Sequence, residues 1–140
     1  MSFQVGLRGS ARLVVKDGDT AAAEGSGAVP VLATPHLLAL MEEAAVAALS
    51  GAIPPGQTSV GVKAELEHLA ATPVGMKVTA MAELTAVEGR RLTFTLEAHD
   101  AVEIIGRGRH ERVLVDEARF LARTEQKKAK GDGNCCSKKG

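Results

Sequence analysis

Aromatic residues are nearly absent from this chain of 140 residues: Phe3, Phe94 and Phe120 are the whole set, with no Trp and no Tyr. A protein that stacks nucleic-acid bases needs aromatic platforms beside a basic face. Neither is present, which argues against a nucleic-acid partner. Cysteine is as scarce. Cys135 and Cys136 are neighbours, so they have no partner elsewhere in the chain and define no disulfide framework. That suits a reducing compartment. Long apolar runs are missing too. The longest apolar region, Leu37 to Leu49, is broken by Glu42 and Glu43 and falls short of the ~20 residues of a membrane span. The N-terminus has no basic-then-apolar export pattern. A soluble, cytoplasmic protein without a membrane partner is expected. Metal-ligand spacings and glycine-rich phosphate loops are also lacking, so neither a metal nor a cofactor is expected.

What is present describes one globular domain. The chain is 45% hydrophobic and 24% charged, with 17 basic and 17 acidic side chains, a composition that buries a core without staples. The zero net charge is unevenly placed. Residues 125–140 hold five lysines against Glu125 and Asp132, which leaves 12 basic and 15 acidic groups in residues 1–124. A mildly acidic domain over 1–124 is therefore expected, followed by a basic, polar, disordered tail over 125–140.

The periodicity predicts a first strand over Ala11–Lys16 and a mobile loop over Asp17–Gly27. The clearest helix runs from Thr34 to Leu49. Thr34 is expected to cap it, Pro35 is preset for its first turn, and Gly51 ends it. This helix is apolar nearly all round, so it should be buried. From Gln57 onward the period changes to two. Strands are expected over Ser59–Leu69, Val78–Leu84, Leu92–Ala98 and Ile104–Asp116, with a hairpin turn at Glu88-Gly89-Arg90. One helix is buried by one sheet only if the sheet curls around it, and the long edge strands that result invite pairing with a second copy. The expected class is α+β, a curled antiparallel sheet around one long central helix, as a dimer.

Three polar residues stand out. Glu42 lies mid-helix among Leu38, Ala45 and Leu49, where a carboxylate needs either solvent or a purpose. Thr34, eight residues earlier, serves as a cap or places a hydroxyl beside helix-start amides that would hold an oxyanion. His68 ends a strand after Glu65 and Glu67; His36, His99 and His110 rank below it. Together Thr34, Glu42 and His68 supply a hydroxyl, a carboxylate and an imidazole, the parts for acyl transfer. Arg107, Arg109 and Arg112 either defend a sheet edge or bind phosphate.

Ala33-Thr34-Pro35-His36 followed by Leu40-Met41-Glu42 resembles the active-site helix of hotdog-fold thioesterases. More narrowly, the chain is similar to the fluoroacetyl-CoA thioesterase group. The residues that carry this are Gly61, His68-Leu-Ala-Ala-Thr-Pro-Val-Gly75, Ala82-Glu83-Leu84, Val87-Glu-Gly-Arg-Arg-Leu92, Ala98-His99-Asp100 and Gly106-x-Gly108-x-His110-Glu111-Arg112. The resemblance implies an obligate homodimer with active sites near its interface, the higher assembly being open. It implies catalytic roles for Thr34, Glu42 and His68, an acyl-pocket position for Gly61, and a place near the thioester for Arg112. One feature departs from the group. The segment Ala21–Leu32, where the fluoroacetyl enzymes carry a phenylalanine lid, has no aromatic residue. The expected activity is hydrolysis of a short-chain acyl-CoA by a less selective thioesterase. The alternative is a non-catalytic acyl-CoA binder on the same fold. Dehydratases with this fold place a histidine near the helix, and the Thr34–Glu42 pair argues against one. A separate expectation concerns Cys135 and Cys136, which beside Lys138 and Lys139 are either a solvated end or a lipidation site.

Overall fold

The alternating apolar positions build a five-stranded antiparallel sheet. The computed structural model describes residues 3–138, and side chains as far as residue 132. Cys135 and Cys136 therefore lie outside the described side chains. In chain order the elements are β1 (Arg8–Val14), a single 3-10 turn (Asp17–Asp19), α1 (Ala21–Glu24), α2 (Thr34–Ala48), β2 (Gln57–His68), β3 (Lys77–Glu88), β4 (Arg91–His99), β5 (Ile104–Asp116) and α3 (Glu117–Lys138). The strands lie in the order β1-β3-β4-β5-β2. Helix α2 thus links the two edge strands and crosses the sheet's inner face.

The core follows directly from the sequence alternation. Val78, Ala80, Ala82 and Leu84 of β3, and Leu92, Phe94, Leu96 and Ala98 of β4, are buried against Leu37, Leu40, Met41, Ala44, Ala45 and Ala48 of α2. Small residues set how closely the helix docks. A Cβ on Gly9 of β1 would lie 2.2 Å from the Ala48 nitrogen and 2.4 Å from the Ala44 oxygen, so helix and strand meet backbone to backbone.

Four expectations need correction. First, the sheet covers only one side of α2: Ala39, Glu43, Val46 and Ala47 are exposed in the single chain. Second, Ala33 takes the cap position and Thr34 opens the helix. A capping hydroxyl has little to do there, because Pro35 has no N–H and the His36 and Leu37 amides donate to the Ala33 carbonyl. Third, the loop expected over residues 17–27 holds two regular pieces, the 3-10 turn and α1, over residues 17–19 and 21–24. Their polar groups close on themselves, with Thr20 accepting from the Ala23 amide and Gly25 in the left-handed conformation. Fourth, α3 crosses residues 124 and 125 without a break. Asp116 Oδ1 accepts from the Arg119 amide at its start, as a cap does. The residues that follow are rich in Ala, Arg, Glu, Gln and Lys, all good helix formers. The helix is exposed along its length to residue 132.

Candidate active site

The start of α2 and the end of β2 place Thr34 beside His68. Thr34 Oγ1 and His68 Nδ1 are hydrogen-bonded at 2.8 Å. The hydroxyl is available for this because it does not cap the helix. Among the described residues, His68 Nε2 is buried without a hydrogen-bond partner. Burial lowers the pKa of the imidazole, with the Ala70 backbone opposing, so the neutral form is favoured. The amides at the helix start are mostly used. Ala33 donates to the Asp19 carbonyl, and His36 and Leu37 to Ala33. Among the described residues, the Thr34 N–H alone is left to offer an incoming oxyanion.

The pair opens into a cleft of about 320 Å³ lined by Ala21, Val31, Leu32, Leu69 and Ala70 among others. Its far wall is the segment from Thr20 to Leu32, closed by bridges from Thr20 to Leu32 and from Val31 to Pro73. His36 holds this wall to the helix, since its Nε2 contacts Glu24 and its Nδ1 lies 3.4 Å from Asp19 Oδ1. Among the described residues, no Phe, Tyr or Trp lines the cleft.

Two helical turns further along, α2 presents Glu42 to a second cluster. On β5, inward-facing Arg112 and His110 sit opposite Gly61 and Ala64 of β2. A Cβ on Gly61 would stand 3.0 Å from His110 Cε1, 3.3 Å from Glu42 Oε2 and 3.6 Å from Arg112 Nη1. Three functional groups thus converge on space that only glycine leaves open. Arg112 is buried and heavily bonded. Its Nε donates to Ser59 Oγ at 2.8 Å and its Nη2 to the Ser59 carbonyl at 3.0 Å. Burial lowers the pKa of its guanidinium, the Glu42 carboxylate opposing; arginine stays charged at any ordinary pH. Glu42 is half-exposed, so its carboxylate is reachable by substrate or water.

The structure therefore joins Thr34 to His68, and Glu42 to Gly61 and Arg112, as two clusters. They do not meet within one chain. Eight residues of helix separate Thr34 from Glu42 by ~12 Å along the axis. Seven residues of strand separate Gly61 from His68 by roughly 20 Å. Arg107 and Arg109 point away from both clusters, opposite Glu67 and Glu65 across the β2–β5 ladder. In the sequence, His110 and His36 carry weaker signals than His68, and no pattern marks Ser59. The one available signal was the parity of β5, which puts His110 and Arg112 on the same face.

The sequence pattern of the fluoroacetyl-CoA-specific thioesterase family matches residues 15–118. The fluoroacetyl-CoA thioesterase of Streptantibioticus cattleyicolor is 45% identical over 101 residues, which are 72% of this chain and 73% of that protein. A crystal structure of a point mutant of the fluoroacetyl-CoA-specific thioesterase is similar at a TM-score of 0.83 and 39% identity, covering 91% of this chain and 98% of that one. A thioesterase superfamily member from Thermus thermophilus is similar at a TM-score of 0.88 and 28% identity, covering 94% and 98%. The fold is the hotdog fold.

Proposed function

The chain belongs to the fluoroacetyl-CoA-specific thioesterase family and is a thioester hydrolase, and from this premise we propose that it hydrolyses short-chain acyl-CoA esters at a site completed by two copies of the chain. The observation that carries the reading is the gap at Gly61, with the Glu42 carboxylate and the Arg112 guanidinium both within 3.6 Å of the missing Cβ. A carboxylate beside an open space and a cation is equipped to activate an attacking water. Glu42 takes the water's proton while its oxygen adds to the thioester carbon. The Thr34 N–H, at the positive end of α2, receives the oxyanion. Collapse breaks the C–S bond and expels the coenzyme A thiolate, which leaves as the thiol once protonated. Glu42 acting directly as the nucleophile is the variant of this scheme, an acyl-enzyme anhydride then being opened by water. Neutral His68, bonded to Thr34, relays protons and holds the hydroxyl against the substrate.

The need for two copies comes from the spacing. Strand β2 has an unpaired edge, and Val62 on it and Val46 on the uncovered side of α2 are 50% and 49% exposed. Antiparallel pairing of two β2 edges about a two-fold near Ala64 and Glu65 sets His68 of one copy beside Gly61 of the other. Thr34 and His68 from one copy then complete Glu42, Gly61 and Arg112 from its mate, twice per homodimer. The absence of an aromatic wall between Ala21 and Leu32 favours acceptance of several small acyl groups over selection of a fluorinated one. The scarcity of cysteine in the sequence suits a reducing compartment such as the cytoplasm; among the described residues no helix is long and apolar enough to cross a membrane. Nothing favours binding without turnover.

Release of free thiol from a panel of acyl-CoAs of graded chain length tests this. Steady turnover of acetyl- to butyryl-CoA is expected, declining for long chains. Micromolar binding without thiol release would transfer the protein to the binding class.

A further inference from the structure

Resting on the hydrolase reading, we propose that His110 is a positioning residue that aims Arg112 at the Gly61 gap, through a neutral imidazole with its proton on Nδ1. His110 is 1% exposed and packs beside Phe94, with ring centroids 6.3 Å apart. A residue in such a place is usually apolar. Here both ring nitrogens are engaged. Nδ1 lies 2.9 Å from the Lys63 carbonyl, which only accepts, so Nδ1 carries the hydrogen. Nε2 lies 3.1 Å from Arg112 Nη1, which only donates, so Nε2 carries the lone pair. The Lys63 carbonyl comes from the point where β2 slips register between Gly61 and Lys63, the kind of bulge that re-aims groups beside a site.

The result is a guanidinium fixed on three of its nitrogens. Ser59 takes Nε and Nη2, His110 takes Nη1, and that last nitrogen is the one nearest the Gly61 gap. Besides the Lys63 carbonyl and Arg112, the groups facing the ring are Glu42 from α2 and Phe94 from β4. Glu42 Oε2 is 3.9 Å from Nε2, too far for a hydrogen bond. His110 therefore does not restrain the carboxylate and acts through Arg112. A protonated ring, or the tautomer with its hydrogen on Nε2, would set N–H against N–H, and would let the guanidinium swing away from the gap.

Two readouts test this on the full chain. In imidazole 15N spectra near neutral pH, His110 should show a protonated Nδ1 and an unprotonated Nε2, and Arg112→Gln should shift the Nε2 resonance. In acyl-CoA hydrolysis, His110→Asn keeps a donor for the Lys63 carbonyl and removes the acceptor for Arg112. Its kcat/KM should fall by about tenfold or more, as should that of Arg112→Gln. The double variant should be no worse than Arg112→Gln alone, within about twofold, because both act through one group. The proposal is overturned by an Nε2-protonated or doubly protonated ring. It is overturned equally by losses that multiply in the double variant, or by a His110→Asn protein that loses thermal stability and keeps kcat/KM. Should His110→Asn not fold, the spectra of the unaltered protein and of Arg112→Gln decide. An unaltered protein with no thioesterase activity would remove the hydrolase reading and leave the ring assignment standing on the spectra.

Discussion

Thr34 reaches His68 because the backbone around it leaves the hydroxyl nothing else to do. Ala33 caps, Pro35 has no N–H, and the next two amides are satisfied by the Ala33 carbonyl. The imidazole on the other side of that bond has its pKa lowered by burial. It accepts a proton only at acidity beyond the ordinary imidazole value of about 6.5. Once protonated it can no longer take a proton from the reacting groups, so the acid limb of kcat/KM should have its midpoint below about 6.5. A pH–rate profile checks this, and a midpoint above that value would speak against His68 as the titrating group. The same shift acts on folding. The unfolded chain binds this proton more readily than the folded one, so stability also falls as pH drops from about 6.5. At this scale the sequence was informative about residue types and silent about partnerships. Thr34, Glu42, His68, Gly61 and Arg112 could be picked out from helix position and from a family resemblance. That Thr34 bonds His68, and that Glu42 faces Arg112, are tertiary facts. His110 was passed over because its role needs both ring nitrogens to find partners across strands, and no local pattern records that.

Among the elements, α2 and β1 depend on each other through a single missing side chain. With the Ala48 nitrogen and the Ala44 oxygen within 2.4 Å of where a Cβ on Gly9 would stand, neither backbone can yield without moving the helix. Gly9→Val should therefore cost about 3 kcal/mol or more, as overpacking against rigid atoms does. Gly18→Ala, with nothing within 4 Å of the new carbon, should stay within about 0.5 kcal/mol. Chemical denaturation of the two variants checks the contrast. The strands were the legible elements. Alternation in Leu92, Phe94, Leu96 and Ala98 marks β4 to within a residue, and β5 runs over Ile104–Asp116 as expected. The helices were less so. An Ala-rich apolar helix reads as wholly buried, yet in one chain the sheet reaches only one side of α2. The segment from Glu125 reads as polar and disordered because it is rich in Lys and Gly, whereas helix propensity and the Asp116 cap carry α3 through it.

For the whole molecule, the two clusters are the decisive feature. Helix rise and strand rise keep Thr34 and His68 apart from Glu42, Gly61 and Arg112 in any single copy, and the unpaired β2 edge offers the way to bring them together. Two inactive proteins test this account most directly, one carrying His68→Ala and the other Glu42→Ala. Each alone should be at least about tenfold slower than the unaltered enzyme in acyl-CoA hydrolysis. When they are unfolded together, refolded and allowed to pair at random, half of the dimers are mixed. Each mixed dimer holds one site with both changes and one site with neither. Activity should then return to about a quarter of that of the unaltered enzyme. A mixture that stays as inactive as its components, with mixed dimers present and the unaltered enzyme active, would contradict a site shared between two copies.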